Sequence, residues 1–341
     1  MARPTDKSKS DPAPAVSVLI VAYQSGPTLD RCLANLRAQT FTDFEVLIVD
    51  NASNDGAPQR AAAANPEIRL IDAGANLGFA AGNNLGARLA RGRWLALLNP
   101  DAYAHPEWLE RLVEAADRLP SVPCFASLQL DAERPGWMDG AGDVVTVAGI
   151  PYRAGYGRAR PTHIPEGEVF SACGAAMMID RALFLEMGGF DERFFCYCED
   201  VDLGYRLRLA GRPVVLAPGA IVDHVGSATF GVRSPFALYH GTRNRLWTFV
   251  KNTPPLLFWL GLPLHAAITL ALLLARLRTG DAGPVWRGLR DGLAGVPEIW
   301  RSRRESLARR RSRSGPLLRL MALNPAGFVN RTIVIRPIDP A

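Results

Sequence analysis

Cysteine is scarce: Cys32, Cys124, Cys173, Cys196 and Cys198 are the only five in 341 residues. Scattered and odd in number, they argue against a disulfide framework and fit a reducing compartment. Cys196 and Cys198 stand too close for a zinc pair of the usual spacing. Residues 1–15 have no apolar core of the kind a secretory signal requires, and read as a polar, disordered lead-in. Basic patches interleaved with stacking aromatics are missing from the body, so no nucleic-acid partner is expected; the stretch 301–313 (RSRRESLARRRSR) is the one feature favouring it. With 21% charged and 48% hydrophobic residues, wholesale disorder is excluded and a full core is affordable.

What is present begins with a formal charge of +6, which suggests an anionic partner: nucleic acid, phospholipid or a phosphorylated substrate. Residues 16–22 (VSVLIVA) and 44–49 (FEVLIV) are short β-branched apolar runs, separated by Leu29, Leu33 and Leu36 at helical spacing. That pattern is a β-α-β unit with buried parallel strands. Residues 68–72 continue the sheet, and 94–98 (WLALL) add a strand ending at Asn99-Pro100-Asp101. Polar residues thus follow the carboxyl ends of strands, where open α/β sheets place ligands. From 135 to 165 Gly, Pro and Arg prevail without periodicity, so long loops over a site are expected. Residues 171–180, the turn at Gly188-Gly189, a helix over 200–210 and a strand over 213–217 then resume a packed domain.

Five clusters carry possible chemistry. Asp50, Asn51, Ser53 and Asp55 after a buried strand could hold a nucleobase or ribose, or merely close an Asx turn. The stretch 76–86 (NLGFAAGNNLG) joins amide side chains to glycines that let backbone approach a ligand. Asp101 suits Mg²⁺ or Mn²⁺, which commonly bridge diphosphates, or caps the next helix. Glu199-Asp200-Val201-Asp202 stacks three carboxylates at a helix N-terminus, where the dipole alone would welcome them. Its aromatic and Cys-rich approach, 194–198 (FFCYC), supplies walls that tune a general base. His224 could complete a metal site begun by Asp101, or be structural.

Together these clusters resemble the GT-A glycosyltransferases of family 2, and within it the rhamnosyltransferase-like members. The most specific stretch is 188–211 (GGFDERFFCYCEDVDLGYRLRLAG), followed by Asp223-His224 and Gly226-Ser227. The resemblance implies an α/β fold with a mostly parallel, Rossmann-like sheet flanked by helices over 16–250, its nucleotide half at 16–120 and acceptor half at 121–250. It implies Asp200 as catalytic base, with Glu199 and Asp202 orienting it or binding acceptor hydroxyls. Asp101 and His224 are the implied ligands of a divalent cation, with Asn99 beside them. Ala22, Tyr23, Asp50, Asn51, Asn76, Gly78 and Asn84 are the implied nucleotide-site positions. The sequence departs from the family where Asn99-Pro100-Asp101 lacks the first acid of Asp-x-Asp, and where Asn51 replaces an acid that reads the base. An Asn amide oxygen still accepts from a pyrimidine N3–H. The processive Gln-x-x-Arg-Trp is absent, with 243–247 (RNRLW) in that region, so one or few transfers per encounter are expected.

The expected reaction is therefore inverting transfer of a sugar, rhamnose by resemblance, from a nucleotide diphosphate to a saccharide or lipid-linked saccharide in cell-surface polysaccharide synthesis. Residues 251–341 read as a helical extension. Within it 256–275 is apolar and long enough to span a bilayer, yet holds Pro263 and His265 between basic flanks. An in-plane or re-entrant helix pair at an anionic cytoplasmic membrane surface is preferred, with 301–313 on lipid. Burial against the catalytic domain or in a homo-oligomer is the bland alternative. Rival functions are a non-catalytic sugar-nucleotide scaffold, a nucleotidyltransferase, for which 21–26 (VAYQSG) lacks a basic phosphate loop, and a nucleic-acid binder.

Overall fold

A computed structural model describes residues 12–226, 234–311, 314–324 and 326–338; residues 1–11 of the lead-in, Ser227 and Arg313 lie outside the described residues. The β-branched runs form β1 (Val16–Ala22) and β2 (Phe44–Asp50), paired in parallel with Val16 opposite Phe44. Between them lies α1 (Gly26–Arg37), burying Leu29, Cys32, Leu33 and Leu36. α2 (Ala57–Ala64), β3 (Arg69–Asp72), α3 (Gly78–Leu89) and β4 (Trp94–Leu98) extend the pattern, with β3 parallel to β2 and β4 parallel to β1. Apolar clusters on both faces bury α1 and α2 on one side and α3 on the other, so strands covered twice need no polar alternation.

The second half makes the sheet mixed. β5 (Ala102–Ala104), α4 (Trp108–Arg118) and β6 (Cys124–Asp131) precede three short strands, β7 (Met138–Gly140), β8 (Asp143–Val145) and β9 (Pro151–Arg153). The expectation of long loops over 135–165 is corrected here: β7 pairs with β6, β8 with β9, and Met138, Val144, Val145 and Tyr152 are buried. Glycines hid these strands, since Gly142, Gly149 and Gly155 take positive φ at the turns and interrupt any alternation. β10 (Gly167–Glu168), β11 (Ala176–Asp180), α5 (Arg181–Glu186), α6 (Glu199–Leu209) and β12 (Val214–His224) complete the sheet. Its order is β10-β12-β6-β11-β4-β1-β2-β3, with β11 antiparallel to both neighbours. The strand expected at 213–217 is the first half of β12, which runs on past a bulge to His224.

Strand order reverses beside β1, so the carboxyl ends of β1 and β4 open a crevice, and Tyr23 and Asn99, the residues just past them, both line it. After the sheet follow α7 (Pro235–Asn252), α8 (Pro255–Thr279), α9 (Ala282–Ala308), α10 (Ser314–Leu320) and α11 (Ala326–Asn330), with α7 and α9 packed on α6 and on each other. α7, α8 and α9 share an apolar core of Leu246, Trp247, Phe249, Phe258 and Ile299, with Phe194 inserted from the sheet side. α8 is long and apolar enough to cross a membrane, and 22% of its most apolar stretch is buried. Of the basic stretch, Arg303 is buried, donating to the Val250 carbonyl (2.6 Å) and lying over the Phe258 ring, so part of this stretch is structural.

Candidate active site

A cleft of about 540 Å³ opens over the carboxyl ends of β1 and β4, within the usual size of small-ligand sites. Three groups of side chains meet there. The first begins with Asp200, in the first turn of α6. Gly174 N–H donates to Oδ2 (2.9 Å) and Val201 N–H to Oδ1 (2.8 Å), which aims the carboxylate into the cleft. Glu199 is 4% exposed and its Oε2 has no partner among the described residues. Burial, with Asp200 next to it, holds the Glu199 carboxyl well above the usual carboxylate range. Asp143 of β8 joins them; burial and Asp200 raise it likewise.

The second group is Asp101, His224 and Asp139. His224 Nε2 stands 3.3 Å from Asp101 Oδ1, and Nδ1 donates to Asp139 Oδ2 at 2.7 Å. Burial alone would lower the imidazole, yet Asp139 and Asp101 raise it to about 9. Asp139 is in turn paired with Arg153, which with His224 holds it below the usual range against the effect of burial. One oxygen and one imidazole nitrogen side by side on a cleft, the imidazole fixed from behind by a carboxylate, fit a divalent cation that takes its other ligands from water and phosphate. Asp143, Cys173 and Asp200 also lie with ligand atoms within 4.8 Å. That group suits a cation less well: burial keeps the Cys173 thiol far above its ordinary pKa, and both Asp200 oxygens already accept backbone N–H groups.

The third group lines the end near β1 and β2. Tyr23, Asn51, Asn76 and Gly78 all reach the cleft. Asn51 Nδ2 donates to the Gly78 carbonyl (2.9 Å) and Asn76 Oδ1 accepts from Gly78 N–H (3.0 Å), so the two amides fix the start of α3. Gly78 has φ +78°, and a Cβ there would stand 2.5 Å from the Phe195 carbonyl oxygen. Phe195, Tyr197 and Cys198 also take positive φ, a costly run for non-glycine residues. Asn244 of α7 holds it in place: its Nδ2 donates to the carbonyls of Phe194, Cys196 and Tyr197 at 2.7–2.9 Å.

Four expected site residues do not line the cleft. Ala22 contributes main chain, its carbonyl accepting from Asn51 N–H (2.9 Å), while its side chain is core. Asp50 closes an Asx turn to Ser53 N–H (2.8 Å) and accepts from Gln59 Nε2 (2.7 Å). Asn84 is buried under the 190 turn, exchanging hydrogen bonds with Phe190 backbone at 2.8 and 2.9 Å. Asp202 is wholly buried among Arg206, Lys251 and Asn252, on the face of α6 turned away from Asp200. Sequence reasoning in turn missed Asp139, Asp143, Arg153 and Arg245, all in the cleft wall.

Lys251 joins Asp202 (2.9 Å) to Asp191 (2.7 Å), and burial works against both acids while Lys251 and the arginines hold them below the usual range. Lys251→Met leaves two buried carboxylates short of a cation and is expected to destabilise the fold by about 3 kcal/mol at pH 7. Groups with depressed pKa stabilise above the unfolded Asp value near ~4, and that contribution fades below it. The gap between wild type and variant should therefore narrow below about pH 4 in urea titrations; a gap independent of pH would mean that the ion network is not its source.

The Glycosyl transferase family 2 model matches residues 17–188, half of the chain. An N-acetylglucosaminyl-diphospho-decaprenol L-rhamnosyltransferase of Mycobacterium tuberculosis (strain H37Rv) is 34% identical over 232 residues, 61% of this chain and 75% of that protein. The O-antigen biosynthesis protein RfbC of Myxococcus xanthus is 34% identical over 236 residues, 63% of this chain and 18% of that protein. Among solved structures, GalNAc-T7 with UDP, GalNAc and Mn²⁺ superposes with a TM-score of 0.55 at 16% identity, covering 71% of this chain and 51% of that one. S. aureus TarS 1–349 in complex with UDP gives 0.52 at 17% identity, covering 86% and 91%. At such identities the likeness is one of fold.

Proposed function

The chain belongs to glycosyl transferase family 2 and is a glycosyltransferase, and from that premise we propose that it transfers a sugar from a nucleoside diphosphate to a saccharide hydroxyl with inversion. The observation that carries this reading is the Asp200 carboxylate, aimed into the cleft by two backbone N–H groups. A base so held removes the acceptor hydroxyl's proton as that oxygen attacks the anomeric carbon opposite the leaving diphosphate. No covalent sugar-enzyme intermediate is required. Glu199 and Asp143, whose carboxyls burial and the neighbouring Asp200 hold above the usual range, flank that base in the cleft wall and would bind acceptor hydroxyls there.

Asp101 and His224 would hold Mn²⁺ or Mg²⁺, which when bound neutralises charge on the departing diphosphate. Tyr23, Asn51, Asn76 and Gly78 form the nucleotide end, beside the carboxyl ends of β1 and β2. Rhamnose as the sugar and a lipid-linked saccharide as acceptor rest on the name of the mycobacterial relative. Cell-surface polysaccharide synthesis rests on the name of the O-antigen biosynthesis protein. The processive Gln-x-x-Arg-Trp is absent from 243–247, where Arg243 and Asn244 instead anchor the 193–197 segment, so one or few transfers per encounter is the reading.

We place the enzyme at the cytoplasmic membrane surface. α8 turns Leu256, Trp259, Leu260, Leu270 and Leu274 outward. At its middle, His265 Nδ1 donates to the Ala148 carbonyl (2.9 Å) and Gly261 lies against the Val147 carbonyl, so the helix is fastened to the catalytic domain there. A helix tied that way lies along a bilayer more readily than through it, and exposed Arg278, Arg287, Arg301 and Arg304 add roughly 1 kcal/mol each near anionic lipid. Self-association through the same apolar face is the competing use.

The test is nucleotide release from a panel of UDP-, dTDP- and GDP-sugars with Mg²⁺ or Mn²⁺ and a lipid-linked saccharide. One donor should be consumed in step with product; no release from any donor with acceptor present would refute the reading.

A further inference from the structure

Resting on the lipid-linked acceptor just proposed, we infer that an apolar groove behind the β8–β9 hairpin takes the hydrocarbon chain of a polyprenyl diphosphate-linked saccharide, with Arg331 at its mouth meeting the diphosphate. The groove holds about 410 Å³, room for on the order of ten methylene-sized groups. Ile150 walls it from the hairpin, Leu264, Ile268, Ala271 and Leu272 from α8, and Phe328 from α11; Thr146 is its one polar side chain among the described residues.

A single hairpin separates groove from cleft. Ile150 faces the groove, and the next three residues, Pro151, Tyr152 and Arg153, line the cleft. Phe328, a groove residue, packs edge-on against Tyr152 with ring centroids 6.2 Å apart. Arg331 lies over Phe328 at 5.1 Å and also lines the cleft, so one side chain touches the boundary between the two spaces.

The charge at that boundary fits an anion. Arg331 makes no ion pair among the described residues, and Arg153 and Arg158 are its charged neighbours. Its backbone is held at φ +54°, with the carbonyl accepting from Gly155 N–H (2.7 Å), which fixes where the side chain starts. Acidic sugar-binding wall, unpaired guanidinium and apolar groove then follow in the order saccharide, diphosphate, hydrocarbon. The groove is not sealed: its lining residues Leu264, Ala271 and Val329 are exposed, the first two on the helix whose outer face is apolar, so a long chain can pass from the groove towards lipid.

Calorimetric titration of the full chain with farnesyl diphosphate, farnesol and inorganic pyrophosphate, below micelle-forming concentrations, tests the assignment. Farnesyl diphosphate should bind at least tenfold more tightly than either fragment. Arg331→Gln should weaken farnesyl diphosphate at least tenfold and leave farnesol unchanged. Ala271→Trp, which fills the groove, should weaken farnesyl diphosphate and farnesol at least tenfold, whereas Leu274→Trp, on the same helix outside the groove, should not. Equal loss in the two Trp variants overturns the inference, because the chain would then be held on the exposed helix face. Pyrophosphate binding as tightly as farnesyl diphosphate, or indifference to Arg331→Gln, overturns it too. The donor panel is read separately: nucleotide turnover with flat lipid titrations rejects the groove alone, and absent turnover rejects the acceptor reading whatever the titrations give.

Discussion

Asp200→Asn is expected to slow sugar transfer by about 10³-fold, within the range that a positioned general base contributes, with little change in donor affinity. The amide keeps the side chain's size but cannot take a proton, and only one of its two polar atoms can accept from Gly174 or Val201 N–H. Some misalignment therefore accompanies loss of the base. The split between kcat and donor KM separates the two: a missing base lowers kcat with donor KM near wild type, while a disordered α6 terminus raises both donor and acceptor KM. Full activity in this variant would mean that another group carries the proton, and Glu199 and Asp143 would be the first to examine.

Asp101→Ala is expected to cost about 10²–10³-fold in kcat, the scale of losing one well-placed stabiliser of developing charge, and to abolish stimulation by Mn²⁺. His224 loses its neighbour at 3.3 Å in this variant but keeps Asp139 on Nδ1. Imidazole alone is a poor anchor for an oxygen-seeking cation. Calorimetric titration with Mn²⁺ and a nucleoside diphosphate reports this without turnover: the wild type should show cation-dependent nucleotide binding and the variant should not. Unaltered cation dependence would move the metal elsewhere, with the Asp143, Cys173 and Asp200 group as the alternative.

The strands at 16–22 and 44–50 were legible because burial on both faces forces continuous β-branched runs. Asp101 and His224 were legible as polar punctuation at strand ends, and the structure brings them to 3.3 Å. Asp202 misled for a geometric reason: two residues on from Asp200 lies roughly 200° around a helix, so one acid faces the cleft while the other meets Lys251 in the core. Asn84 misled because an amide in a glycine-rich stretch looks like a ligand contact, whereas its partners are 106 residues away in the 190 turn. Asp139, Asp143 and Arg153 were illegible: three-residue strands broken by glycines give no period to read, and only long-range pairing sets their facing.

Direct displacement at the anomeric carbon, by an acceptor hydroxyl that Asp200 deprotonates, is the proposed step on which the stereochemistry of the product depends. The most direct measurement is the anomeric configuration of the newly formed glycoside, by one-bond carbon–proton coupling at the transferred sugar's C1, compared with that of the donor. Inversion is the predicted result; retention of the donor's configuration would contradict the account, because direct displacement with one base cannot produce it.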